Sequence, residues 1–188
     1  MRYVTDQAIR RLEQTLRRGH IRPTTHALIV SVLSQRVLWV KRHQNSGRYR
    51  YRHFRTLTAS TSRFGVGQMA DSNCTPLGLH YVAAKHGHGY PVGTVFKSRQ
   101  PIGYQWKGMK WTAIAHRILW LRGLEPGFNQ GGRVDSFSRY IYIHGLGDEP
   151  TLGKPASCGC IHLSSSDLIP LFDAIPVGTL VWIITEPV

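Results

Sequence analysis

A chain of 188 residues has room for one well-buried core and little for a second. Its 41% hydrophobic and 18% charged content argues against disorder, and no apolar run approaches the roughly 20 residues needed to span a bilayer. Lys and Arg number 24 against 10 Asp and Glu, and the net charge of +14 favours anionic partners. No zinc-finger, homeodomain or RNP-type motif accompanies that charge, so nucleic acid is not the expected partner.

Met1 to His20 lack the apolar stretch and cleavage site of a secretory leader. Cys74, Cys158 and Cys160 form an odd set with no disulfide-framework spacing, which suits a reducing compartment. Both features predict a cytoplasmic protein; a leader missing from the chain would instead make it periplasmic. Residues 4–18 read as an amphipathic helix, with Ile9, Leu12 and Leu16 on one face and Arg10, Arg11, Arg17 and Arg18 flanking it. Pro23 discourages continuation. Residues 1–25 are therefore expected to be an N-terminal helical extension ahead of a domain spanning 26–188.

From there the pattern turns to β. Leu28–Leu33 and Val37–Val40 are apolar runs broken at Ser34-Gln35-Arg36, the signature of a hairpin. Asn45-Ser46-Gly47 predicts a second turn, leading into a strand with Tyr49, Tyr51, Phe54 and Leu57. Further strands are expected at Leu79–Ala83, Thr94–Lys97, Ala113–Leu121, Arg139–His144 and Thr179–Ile184. His86-Gly87-His88-Gly89 and Leu124–Gly132 read as loops, and the tryptophans, including Trp106, Trp111 and Trp120, as core residues. One late helix is expected within Asp167–Ala174, started by Ser164-x-x-Asp167, which would put Pro170 in its first turn. Many short strands and few helices predict a mainly β fold, a sandwich or open barrel of mixed sheets.

The residues that carry chemistry lie near the C-terminus. His144-Gly145 is followed by a Gly/Pro-rich loop and then Ser157-Cys158-Gly159-Cys160-Ile161-His162-Leu163. A thiolate is the attacking species in cysteine acyl transfer, and an imidazole brought close by a loop between strand ends generates it near neutral pH. Three other readings of the same residues stay open: a metal held by Cys158, Cys160, His162 and His144; a Cys158–Cys160 redox pair; and a buried, inert Cys160.

Over roughly residues 26–186 these blocks resemble the L,D-transpeptidase (YkuD-type) catalytic domain of bacterial cell-wall enzymes. The family signature is a His-Gly pair, a loop, then Ser/Thr-His-Gly-Cys, an apolar residue and usually Arg or Asn. Upstream, Asp71–Gly78 with its Thr75-Pro76-Leu77-Gly78 is similar to the family's TPxG segment, and Ala115–Leu119 to the strand before the catalytic region. The resemblance implies a β fold, no cofactor or metal, and peptidoglycan stem peptides or muropeptides as partners. It also implies Cys160 as nucleophile, His144 as base and Gly159 as the catalytic turn glycine. The backbone N–H groups of Cys158, Gly159 and Cys160 would face the oxyanion. Ser157, His162, Gly145, Arg139, His116 and Lys154 are the expected substrate-binding residues. The chain departs from the signature twice, with Cys158 where the family has His and His162 where it has Arg or Asn.

Three activities are compatible with this signature: an L,D-carboxypeptidase trimming tetrapeptide to tripeptide in murein recycling, an L,D-transpeptidase forming cross-links or exchanging D-amino acids, and a basic binding module without chemistry. The missing leader and the altered motif favour the first.

Overall fold

Alternation along the strands sorts apolar side chains onto two sides of a single wall. In β1 (His26–Ser31), Leu28 and Val30 join an interior core, while Ala27 and Ile29 join a second, outer one. Near the C-terminus, β10 (Leu180–Ile184) does the same: Val181 and Ile183 point inward, and Leu180, Trp182 and Ile184 outward. The computed structural model describes residues 2–45, 48–110, 112–147 and 149–188. The expected turn at Asn45-Ser46-Gly47 rests on Ser46 and Gly47, which like Trp111 lie outside the described residues.

Between β1 and β10 lie β2 (Arg36–Asn45), β3 (Arg48–Ser60), β4 (Gly78–His86), β5 (Thr94–Lys97), β6 (Gln100–Tyr104), β7 (Ala115–Gly123), β8 (Tyr142–Gly145) and β9 (Ile161–Leu163). The strand order β4-β10-β1-β2-β3-β9-β8-β7 closes on itself because β7 also pairs with β4. Two pairs are parallel, β1 with β10 and β8 with β9, so the ring is mixed and mainly β, as the sequence predicts. The β5–β6 hairpin is an appendage that joins the ring where Val95 meets Ala115.

The first helix, α1 (Arg2–Arg18), packs onto the outside of the ring. Leu12 and Leu16 are fully buried against Ile29, Leu38, Val40 and Trp182, as their spacing on one face requires. Glu13 fixes the contact: its carboxylate accepts from the Tyr51 N–H at 2.7 Å and from Arg50 at 2.9 Å. Part of the basic flank is paired as well, since Arg11 meets Glu186 at 2.6 Å. The helix ends before Pro23, where His20 takes a positive φ of 51° and the Ile21 N–H closes onto the Leu16 carbonyl at 2.8 Å.

The second helix, α2 (Ser165–Ala174), contributes Leu168, Leu171 and Phe172 to the interior core. It begins earlier than the sequence suggests, because Ser164 is the cap and its hydroxyl accepts from the Asp167 N–H at 3.2 Å. Pro170 is consequently inside the helix and not in its first turn. Pro170 has no N–H for the Ser166 carbonyl, and both Ser166 and Pro170 are exposed, so that carbonyl is not forced to go unpaired in the core. At the other end, Lys85 donates to the Phe172 and Ile175 carbonyls at 2.5 and 2.7 Å, closing the C-terminus of the helix. No helix among the described residues is long and apolar enough to cross a membrane.

Candidate active site

The parallel pair β8–β9 sets Ile143 opposite Ile161 and His144 opposite His162. Ile141, Ile143, Ile161 and Leu163 face the interior core, so alternation turns Tyr142, His144, Cys160 and His162 together onto the outer face. Cys160, two residues before His162, is diagonal to His144 and level with Tyr142. The Tyr142 N–H donates to Cys160 Sγ at 3.4 Å, and the thiol donates to the Tyr140 carbonyl at 3.5 Å. The His144 and His162 rings lie 4.6 Å apart, tilted by 58°. The strand expected at Arg139–His144 begins later, at Tyr142. Tyr140 has a φ of 57°, so the chain turns sharply just before the site.

His144 is buried, and its Nδ1 lies 2.9 Å from the Gly145 carbonyl. A carbonyl can only accept, so Nδ1 carries the proton and Nε2 keeps the lone pair, the form a base requires. Burial lowers its pKa to about 4. His162 falls to about 3, through burial first and the neighbouring His144 second, and among the described residues its Nδ1 has no partner. Burial also pushes the Cys160 thiol up to about 11, against the Tyr142 N–H and Arg139, which lower it. The resting site is therefore a neutral thiol beside neutral imidazoles, and not a thiolate–imidazolium pair.

The turn carrying Cys160 is tied from two sides. The Ser157 hydroxyl accepts from the Gly159 N–H at 3.1 Å and donates to the Cys160 carbonyl at 2.6 Å. From the TPxG segment, the buried Thr75 hydroxyl donates to the Gly159 carbonyl at 3.0 Å and accepts from the Ser62 N–H at 3.0 Å. Gly159 has a φ of 117°, a conformation that a side chain rarely adopts. These bonds correct the expected oxyanion set, because the Gly159 N–H already has an acceptor. The N–H groups of Cys158 and Cys160 form no hydrogen bond among the described residues, and they remain as donors.

Several expected substrate-binding residues hold protein instead. Ser157 shapes the turn. Arg139 donates to the carbonyls of Gly67, Gln68 and Cys74 at 2.7 to 3.1 Å, clasping the 67–74 loop below the nucleophile. His116 is buried with a φ of 70°; its Nδ1 accepts from the Gly93 N–H at 2.8 Å and its Nε2 meets the Leu146 carbonyl at 3.1 Å. A side chain at Gly145 would collide with the His116 ring, which explains the His-Gly pair sterically. Lys154 is exposed in the loop before the turn, its N–H on the Thr151 carbonyl. Of that set only His162 shares the outer face with Cys160 and His144.

The metal and redox readings find little geometry. Cys74, Cys158 and Cys160 are all free thiols. Among the described residues no three His, Cys, Asp or Glu side chains are grouped to hold a metal ion. Sequence reasoning passed over Arg99, whose guanidinium lies over Trp120 and Tyr140 and donates to the Tyr142 hydroxyl at 3.1 Å. The local signal is only an arginine in the Ser98-Arg99 tip of a short hairpin, with Lys97 beside it.

Residues 25–183 match the model of the YkuD family, the L,D-transpeptidase catalytic domain. A 50-residue stretch is 46% identical to a protein of Escherichia coli (strain K12) named "Probable L,D-transpeptidase ErfK/SrfK", covering 27% of this chain and 16% of that protein. The solved structure of Bd1075 from Bdellovibrio bacteriovorus shares the fold with a TM-score of 0.54 at 12% identity, covering 87% of this chain and 49% of that one. The chain thus spans about half or less of these relatives.

Proposed function

Because the chain belongs to the L,D-transpeptidase (YkuD) catalytic-domain family, we propose that it performs cysteine-dependent acyl transfer on peptidoglycan stem peptides. The bond attacked lies between an L-configured centre and the following D-alanine. The supporting observation is that Cys160, His144 and His162 share one outer face beside a turn with two unused N–H donors.

With both partners neutral at rest, the proton must leave sulfur as the S–C bond forms. Cys160 Sγ attacks the carbonyl carbon while His144 Nε2 takes the thiol proton. The oxyanion is met by the N–H groups of Cys158 and Cys160. His144 then gives its proton to the departing D-alanine amine as the C–N bond breaks, leaving a thioester. A water, deprotonated by the same Nε2, releases the tripeptide and restores the thiol.

Hydrolysis is the preferred outcome. An amine acceptor arrives protonated and must be held and neutralised before it attacks, whereas water needs only the base. The two motif positions able to help an amine are an exposed thiol, Cys158, and a neutral imidazole, His162. Free muropeptides suffice for hydrolysis, which is the chemistry of murein recycling in the cytoplasm. The name of the E. coli relative supports the second reading, transpeptidation.

Incubation with a disaccharide tetrapeptide, followed by mass spectrometry, tests this. Tripeptide with stoichiometric D-alanine is expected. Cross-linked dimers or D-amino acid exchange products would give the second reading instead. No turnover, with Cys160 inert to alkylation, would leave a binding module.

A further inference from the structure

The substrate class proposed above is rich in carboxylates, yet the motif position that carries Arg or Asn elsewhere is His162, which is neutral at physiological pH. Two other arginines near the site are occupied. Arg139 is held by loop carbonyls, and Arg117 donates to the His116 carbonyl behind the strand. On the outer face, a different arginine is presented from the β5–β6 hairpin.

Arg99 rests with its guanidinium carbon 4.5 Å from the Trp120 ring centroid and 5.2 Å from that of Tyr140. Its N–H groups donate to the Tyr142 hydroxyl at 3.1 Å and also reach the Tyr140 hydroxyl, and a guanidinium with five N–H groups keeps others for a ligand. Among the described residues no carboxylate pairs with it. The seat is rigid: Trp120 stacks on Phe137 at 3.8 Å and donates through Nε1 to the Phe137 carbonyl at 3.0 Å. Tyr140 and Tyr142 are the residues whose backbone groups contact Cys160 Sγ, so the seat adjoins the nucleophile. The hairpin also bends unusually to deliver this side chain. Ser98 and Arg99 have φ of 48° and 69°, where a two-residue turn favours Asn-Gly.

We propose that Arg99, seated on Trp120 and Tyr140 and tied to Tyr142, is the carboxylate-binding group of this site. An aromatic-backed guanidinium with N–H groups to spare donates two parallel hydrogen bonds to a carboxylate, which an ammonium cannot imitate. Naming the ligand as a stem-peptide carboxylate rests on the acyl-transfer reading. Recognition of a carboxylate beside Cys160 does not.

The first test therefore uses no peptide. Alkylation of Cys160 by anionic iodoacetate and by neutral iodoacetamide is followed by site-resolved mass spectrometry. Arg99→Gln should lower the iodoacetate-to-iodoacetamide rate ratio by about tenfold. Arg99→Lys should restore part of it, and Arg10→Gln, the same charge change on α1, should leave it unaltered. An unchanged ratio in Arg99→Gln, an equal change in Arg10→Gln, or an equal loss of both rates would overturn the inference.

A second arm identifies the carboxylate. Tetrapeptide should show a raised KM with Arg99→Gln and little change in kcat. Amidating either the diamino acid side-chain carboxyl or the terminal D-alanine carboxyl should bring wild type down to the variant's KM, and the effective amide names the group read. A KM unchanged by Arg99→Gln would overturn the assignment to stem peptides. A collapsed alkylation ratio in a protein that turns over no peptide would keep Arg99 as a carboxylate site and remove the proposed function.

Discussion

The outward face of the ring has two halves built by the same alternation and finished in opposite ways. Along β1, β2 and β10, the outward residues Ile29, Leu38, Val40 and Trp182 are apolar and covered by α1. Along β8 and β9 they are Tyr142, His144, Cys160 and His162, with loops around them in place of a helix. A strand dictates only which residues point outward; what covers them decides whether that surface becomes core or chemistry. The covered half gains stability from dry contacts. The uncovered half uses hydrogen bonds from Ser157, Thr75 and Arg139 to hold a geometry, and it buries ionisable groups that contribute nothing to stability in their charged form.

The largest effect that separates the halves is expected in activity. Cys160→Ala and His144→Ala should each lower turnover by roughly 10³-fold or more, because removing one member of a cooperating pair removes nearly the whole. Cys160→Ala should leave the urea midpoint little changed, whereas His144→Ala truncates a buried ring and should lower it as well. On the other half, Leu12→Ala should cost about 2–5 kcal/mol of folding free energy, as for other fully buried leucines. Its kcat at low temperature should match wild type. Equal losses of stability from both halves would erase the distinction.

Acid should then find the uncovered half first. His144 and His162 titrate at about 4 and about 3 when folded, against 6.5 when free, mainly through burial. His80, buried against Ser136 on a different strand, titrates at about 4 for the same reason. Between about pH 6.5 and the folded values, the unfolded chain binds protons that the folded chain refuses. Stability must therefore fall as pH drops through that window and be indifferent to these groups above it. Urea midpoints from pH 8 to pH 4 measure this. His162→Asn should flatten the acid limb, whereas Leu12→Ala should lower the curve at every pH.

A subtler effect is expected at Thr75. Its hydroxyl bonds the Gly159 carbonyl and the Ser62 N–H, both away from water. Thr75→Val keeps the shape and leaves both partners unsatisfied, at about 1–3 kcal/mol. Because the Gly159 carbonyl orients the nucleophile turn, kcat should also fall, by about tenfold. A stability loss without a kcat loss would mean that Ser157 alone suffices to aim Cys160.

Local patterns made much of this legible. The spacing of Leu12 and Leu16 located the docking face of α1, and the runs at 28–33 and 37–40 located the first hairpin. The His144 and Cys160 pattern is visible in the sequence because the motif is short. What escaped reading joins distant segments: Thr75 to Gly159 across 84 residues, Arg139 to Cys74 across 65, and Arg99 to Tyr142 across 43. No periodicity encodes such pairs. Strand β6, with Pro101, Gly103 and an exposed face, carries no alternation to detect, and β9 is only three residues long. The start of α2 is not legible because a proline counts against a helix interior in sequence, whereas here Pro170 lies on the exposed face.

The smallest expected effect concerns Cys158, the departure from the family motif that precedes the nucleophile in its turn. Its side chain is exposed, and among the described residues it makes no hydrogen bond, so Cys158→Ala removes no contact that shapes the turn. The N–H assigned to the oxyanion belongs to the backbone and survives the substitution. What changes is charge. An ionised Cys158 raises the pKa of Cys160, so removing it lets Cys160 ionise at slightly lower pH. Turnover should remain at about half of wild type or more, and iodoacetamide should label Cys160 up to about threefold faster above pH 8. A loss of turnover comparable to that of His144→Ala would mean that the thiol itself handles a proton, and that this half needs two working residues from the turn.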